Sequence, residues 1–232
     1  MQYRYETTSP EGFVQILASN YLPHGYWFYV TGRIPQGKEA GSVDQKILDK
    51  YNIELSRQQR SRRKQNGFAN LHYVRFEDYF VIAATHGKHD FFAAEANSVK
   101  DIRKHPIHFR GYSMTVKRGG FLKKETDDEP ATPDGRYRVR VSIGREALAN
   151  LSGHLLELAA HRTADKLRWE FWNVPYEPYA PVRKQLLTLL RRVNQVRGAM
   201  GYEQLPTDVI RYRRNIVKPF ETGLAQKKSI AA

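Results

Sequence analysis

The chain has 232 residues, 41% of them hydrophobic and 12% aromatic, which suffices for one large or two small cores and excludes a mainly disordered protein. Thirty-eight lysines and arginines against 24 acidic residues leave a net charge of +14 and a pI near 9.9, a surplus that points to a polyanionic partner. The absence of cysteine excludes disulfides, thiolate zinc sites and thiol catalysis, and suits a reducing, cytoplasmic home.

No apolar run approaches the ~18 residues of a membrane span, and Met1-Gln2-Tyr3-Arg4 opens neither a signal peptide nor an acylation motif, so no membrane partner is expected. In chain order, Ser9-Pro10 opens a helix carrying Phe13, Ile16 and Leu17 at helical spacing. An aromatic, β-branched strand follows at residues 26–31. Ser42 and Gln45 read as a capping box for a helix with Val43, Ile47 and Tyr51 on its buried edge.

Residues 56–66 form the most distinctive stretch: five cations (Arg57, Arg60, Arg62, Arg63, Lys64), with no acidic and no apolar side chain. Ser56 with Gln59 caps it, Asn66-Gly67 stops it, and on the helix so defined Arg57, Arg60 and Lys64 line one stripe. Repulsion at this density favours a phosphate-bearing partner; a merely solvated face is the alternative.

Downstream, residues 68–76 and 79–85 read as a hairpin turned at Glu77-Asp78, and residues 97–104 as a short helix. In residues 106–117 the apolar parity slips near Gly111, which predicts a strand with a β-bulge. Residues 118–135 read as a mobile loop. Its acidic residues Glu125, Asp127, Asp128 and Glu129 could shield a cationic surface. A strand from Arg136 to Ile143 then sets Arg136, Arg138 and Arg140 on one face.

From residue 145 the pattern is helical. Leucine-rich segments are joined by a proline-rich connector at residues 174–181, and Thr207-Asp208 would cap a last helix bearing Arg211, Arg213, Arg214 and Lys218. The expected class is α+β, with a mixed or antiparallel sheet at residues 1–143. A helical region at 144–220 and a disordered tail at 221–232 complete the plan.

The recurrence of cations on elements of different type predicts a binding surface for RNA or single-stranded DNA. Arg57, Arg60, Arg62, Arg63, Lys64, Arg136, Arg138 and Arg140 would contact phosphates. Phe28-Tyr29-Val30-Thr31-Gly32 resembles the first signature of RNA-recognition-motif domains, and Gly67-Phe68-Ala69-Asn70-Leu71-His72-Tyr73 part of the second. Asn66 and Asn70 depart from that pattern. The resemblance implies an RNA-recognition-motif or ferredoxin-like form of the sheet, with adjacent central strands on which Tyr29, Phe68 and Tyr73 stack bases; core packing is the alternative role.

His86-Gly87-Lys88-His89 beyond the second hairpin strand resembles, with a spacing of three instead of two, the histidine pair of metal-dependent single-strand nucleases and transposases. That alternative implies a divalent metal on His86 and His89, completed by Glu95 or His72, and a tyrosine nucleophile from Tyr112, Tyr202 or Tyr212. No cofactor is expected otherwise. A third alternative is a subunit of a larger ribonucleoprotein with protein neighbours.

Overall fold

A computed structural model describes residues 3–119, 122–123 and 130–221. The expected acidic shield (Glu125, Asp127, Asp128, Glu129), part of the expected mobile loop and all but the first residue of the expected tail lie outside these residues. The chain is α+β, with antiparallel sheets in its N-terminal half and helices in its C-terminal half. The described residues divide into two compact units: those within 1–106, 115–139 and 217–232 form the first, and residues 107–114 and 140–216 the second.

The first unit opens with α1 (Pro10–Ile16), whose Ser9 hydroxyl accepts the Gly12 amide and whose proline sits in the first turn. β1 (Phe28–Arg33), α2 (Ala40–Lys50), α3 (Arg57–Gln65), β2 (Leu71–Phe76), β3 (Tyr79–Ala84), α4 (Asp90–Ala94) and the short β4 (Lys100–Asp101) follow. The sheet order β2-β3-β1-β4, antiparallel at every pair, is that of the ferredoxin-like split β-α-β unit, here with two helices in the first crossover. An extended segment at residues 5–7 pairs with Arg75 along the β2 edge.

Alternation along the strands gives the sheet two buried faces. Leu71 and Tyr73, Phe80, Ile82 and Ala84, and Phe28 and Val30 share the face packed with Leu48 and Phe91 from α2 and α4. Gly32 lies on this face because the Phe80 ring crosses it; a Cβ there would stand 2.3 Å from the ring. On the other face Val74, Val81 and Ala83 are fully buried. There α1 brings the Phe13 ring against Tyr79, and the turns after α1 bring Tyr21 and Tyr26 against His72.

Beneath α2 lies a buried ionic group. Asp44, with no exposed surface, accepts the Tyr73 hydroxyl and, through both oxygens at 3.0 Å, the Arg75 Nε. Arg75 also pairs with Glu6 at 3.0 Å, so one guanidinium joins α2, β2 and the N-terminal segment. Burial pushes the Asp44 carboxyl upward, against the lowering influence of Tyr73 and Arg75.

The next strands are β5 (Ile107–Phe109), β6 (Tyr112–Arg118), β7 (Leu122–Lys123), β8 (Thr132–Pro133) and β9 (Tyr137–Ile143). They make a three-stranded sheet β5-β6-β9 and a two-stranded one β7-β8. The parity slip at Gly111 is a hairpin turn, not a bulge. Arg110 (φ 41°) and Gly111 (φ 80°) are both left-handed between paired Phe109 and Tyr112, as a type I′ turn requires.

The second unit is built on α5 (Arg145–His161), α6 (Ala164–Trp172) and α7 (Ala180–Ala199), which bury Leu155, Leu167, Phe171, Leu186, Leu189, Leu190 and Val193 in one core. The expected last helix is a single 3-10 turn, Thr207–Val209. Its continuation finds other partners. Arg211 donates to the Glu177 carboxylate and to the Val174 and Tyr176 carbonyls, and the Asn215 amide donates to Glu177. Two further expectations change. Residues 97–104 hold β4, with the helix displaced upstream to α4, and α2 begins two residues before Ser42, whose hydroxyl donates to Glu39.

Replacing Asp44 by Ala removes the buried carboxylate of Arg75, leaving it the exposed Glu6 as its ion-pair partner, and should cost about 3–5 kcal/mol. Urea unfolding checks this, and a loss below about 1 kcal/mol would show that the group contributes little.

Candidate nucleic-acid interface

The predicted cationic helix forms as α3, with both halves of the Ser56–Gln59 capping box in place and Gly67 at φ 75° beyond its end. None of its nine residues is buried. Its cations divide by role. Arg60 turns inward: Nε donates to the Leu55 carbonyl (3.1 Å), Nη2 to that of Ile53 (2.8 Å), and Nη1 lies 2.9 Å from His72 Nε2. Arg63 turns inward too, donating to the Ala69 carbonyl and covering the Phe68 ring. The expectation of Arg60 and Arg63 as solvent-facing phosphate ligands is corrected on this ground: a helix with no apolar anchor uses two of its five cations to dock. Arg57, Arg62 and Lys64 stay exposed, with no side-chain hydrogen bond or ion pair among the described residues.

His72, which receives Arg60, is stacked on Tyr21 (4.3 Å between centroids, 8° between planes) and touched by Tyr3 and Tyr26. Burial, assisted by the Arg60 charge, depresses its pKa to about 3, so the ring is neutral. With its proton on Nδ1, directed at the Tyr3 hydroxyl 3.1 Å away, Nε2 is free to accept from Arg60. Tyr3 is pushed to about 12 by the same burial, so no phenolate forms here at neutral pH.

The strand registers align Leu71, Ala84, Phe28 and Asp101 as one row across the sheet. One end of the sheet therefore carries the residues just outside that row: Asn70, which donates to the Arg60 carbonyl of α3, the 85–89 loop with exposed Lys88, and Trp27 with Arg103. From the β2 edge to β4 is about 14 Å, three strand spacings. At the β4 side Arg103 covers the rings of Trp27 (4.8 Å), Phe28 and Tyr137, and Arg118 covers Tyr137 from 5.8 Å. Tyr137, 44% exposed and 4.8 Å from the Trp27 ring, presents an aromatic surface bordered by two guanidiniums. Arg103 is oriented by Asp101, and Lys117 and Arg136 are exposed nearby in sequence.

The remaining expected site residues fall as follows. Tyr29 and Tyr73, expected to stack bases, are 3% and 0% exposed, with hydroxyls spent on the His105 and Pro106 carbonyls and on Asp44 respectively. That role is corrected: one sheet face is covered by α2 and α4, the other by α1, and β1 and β2 are separated by β3. Phe68 is exposed but lies under Arg63. Arg138 is held by Asp134, whose carboxyl that hydrogen bonding lowers to about 2, while Arg136 and Arg140 are exposed, the first in one unit and the second in the other.

His86 is exposed, whereas His89 caps α4, its Nδ1 accepting the Phe91 amide at 3.0 Å. That duty directs the lone pair to the helix and away from a shared metal. Glu95 accepts from Tyr51 and pairs with Lys50, and Tyr112 is buried with its oxygen accepting the Glu177 amide. Among the described residues no three metal-ligating side chains converge. Tyr202 and Tyr212 are exposed under Arg197 and Arg183.

The Tyr137 platform is absent from the sequence expectation, since Tyr137 alternates with the arginines and reads as an inward residue. The signal available was its place at the strand's first position, where burial fades. No helix among the described residues is long and apolar enough to cross a membrane. No family model and no curated protein sequence matches the chain.

His72 is neutral in the fold but protonates near pH 6.5 when unfolded, so its contribution to stability is complete above about pH 6.5 and declines as pH falls toward 3. By pH 5 the loss should reach about 2 kcal/mol. Denaturation of wild type against His72→Gln across pH 7.5–5 checks this; parallel curves would show that the ring titrates normally.

Proposed function

We propose that the chain binds single-stranded nucleic acid, RNA or DNA, across the end of the four-stranded sheet, with α3 and Lys88 on one side and the Arg103–Tyr137–Arg118 cluster on the other. The observation that carries this reading is Tyr137: a half-exposed ring beside Trp27, bordered by two arginines, at the same end of the sheet as three unpartnered cations of α3. Unpaired bases stack on such rings for about 1–3 kcal/mol each, and the flanking guanidiniums meet the phosphates on either side.

A duplex hides its base faces, so an exposed aromatic platform favours an unpaired strand. The +14 charge supports fast, salt-sensitive capture. Phosphate contacts supply position without sequence preference.

Fluorescence anisotropy with labelled oligo(U) and oligo(dT) over a salt series tests the reading. Replacing Arg57, Arg62 and Lys64 together by Gln should flatten the log–log salt slope by about 2, at roughly 0.7 for each phosphate no longer neutralised. Tyr137→Ala should weaken binding by about 5- to 150-fold while leaving that slope nearly unchanged. If both variants bind as wild type does, the interface is misplaced.

A further inference from the structure

The second unit contains an open cavity of about 740 Å³ between α5, the strand residues Ser113 and Ser142, and Gln185 and Arg192 of α7. We propose that this cavity binds a nucleoside phosphate, either free or as the terminal residue of a strand. The volume lies in the range of small-molecule sites and far exceeds what an inorganic phosphate fills.

The polar groups of the lining have one sign. Arg145 and Arg192 line it together with Ser113, Ser142 and Ser152, the Ser142 hydroxyl donating to the Ser113 carbonyl, and among the described residues no carboxylate lines it. Among the described residues Arg145 makes no side-chain hydrogen bond or ion pair. Arg192 makes one contact, Nη1 to the Ser152 hydroxyl at 3.0 Å, which orients the fork and leaves its other N–H donors available. Two arginines with no carboxylate paired to them among the described residues are suited to a phosphate.

Apolar groups supply the rest of the lining. Leu148 and Leu156 flank a stretch of α5 on which Ala149 and Gly153 add almost no bulk, so a planar ring can lie against the helix. Arg145 and Ser152, where Arg192 is tethered, are seven residues apart on α5, about 10 Å. A phosphate at one end of that span and a base over the leucines match the chemistry of a nucleotide. A smaller cavity of this unit, about 340 Å³ beside Trp169 and Trp172, does not: Asp208 lines it and its Arg168 is already paired with Glu203.

Gly153 supplies a clean variant. A Cβ built there meets nothing within 4 Å, so the backbone leaves room for a side chain at this point of the lining, and Gly153→Leu adds bulk there while replacing a helical glycine by a better helix former.

Calorimetric titration of AMP, UMP and inorganic phosphate into the full chain tests the site. AMP or UMP should bind saturably with Kd below about 1 mM. Arg145→Gln and Arg192→Gln should each weaken it about tenfold, and Gly153→Leu should abolish it while thermal melting is unchanged or raised. No saturable nucleotide binding up to about 10 mM, or binding undiminished by Gly153→Leu, overturns the proposal, as does phosphate binding as tightly as AMP. A labelled decamer with and without a terminal phosphate separates the two sources. An affinity gain from that phosphate in wild type, absent in Arg192→Gln, assigns the strand end; no gain assigns the free nucleotide. The strand-end form rests on the nucleic-acid reading above, the free form does not. The Arg57/Arg62/Lys64 variant, altered only in the first unit, should bind AMP normally, so failure of either proposal is visible without the other.

Discussion

A helix that buries no side chain can hold its place only through polar contacts, and in α3 that task falls to Arg60. Its guanidinium satisfies two carbonyls of the preceding loop and an imidazole nitrogen of β2, while its own carbonyl receives Asn70. The acceptor exists because His72 is buried among tyrosines and stays neutral; a protonated ring would repel the guanidinium. The orientation of the most cationic stretch of the chain thus depends on one desolvated histidine. Arg57, Arg62 and Lys64 can remain unpartnered because two of their neighbours anchor the helix.

The same sorting of cations runs through the molecule. Arg75 is sunk in the core with Asp44, Arg197 is buried against carbonyls of the second unit, Arg211 is bound to Glu177 and Arg138 to Asp134. These arginines serve as multidentate cross-links, a role lysine fills poorly because it lacks the planar fork. A net charge of +14 therefore overstates the free cationic surface, and the exposed, unpaired residues are the ones with electrostatic reach.

Closing both faces of the four-stranded sheet moves the available chemistry to its end. With α1, Tyr21 and Tyr26 over the face that a bare sheet would offer to bases, the aromatics of β1 and β2 become core, and Trp27 and Tyr137 at the border remain half in solvent. In the second unit, by contrast, the small side chains of α5 leave an open cavity that arginines and serines line, with no carboxylate in the lining among the described residues.

The elements with strong local signals were legible in the sequence: the Ser9 and Ser56 caps, the Glu77-Asp78 hairpin, the leucine-rich helices after residue 145 and the α+β class. The short β4 and α4 were misplaced because two to five residues carry too little periodicity. The segment after Val209 was misread because its backbone partners, Glu177 and Gln15, are remote in sequence. Composition and local pattern settle which residues are helix, strand or cation, since those properties depend on near neighbours. Which arginine faces solvent, which tyrosine is core and which edge of a sheet stays open depend on desolvation and on partners dozens of residues away, and only the folded chain decides them.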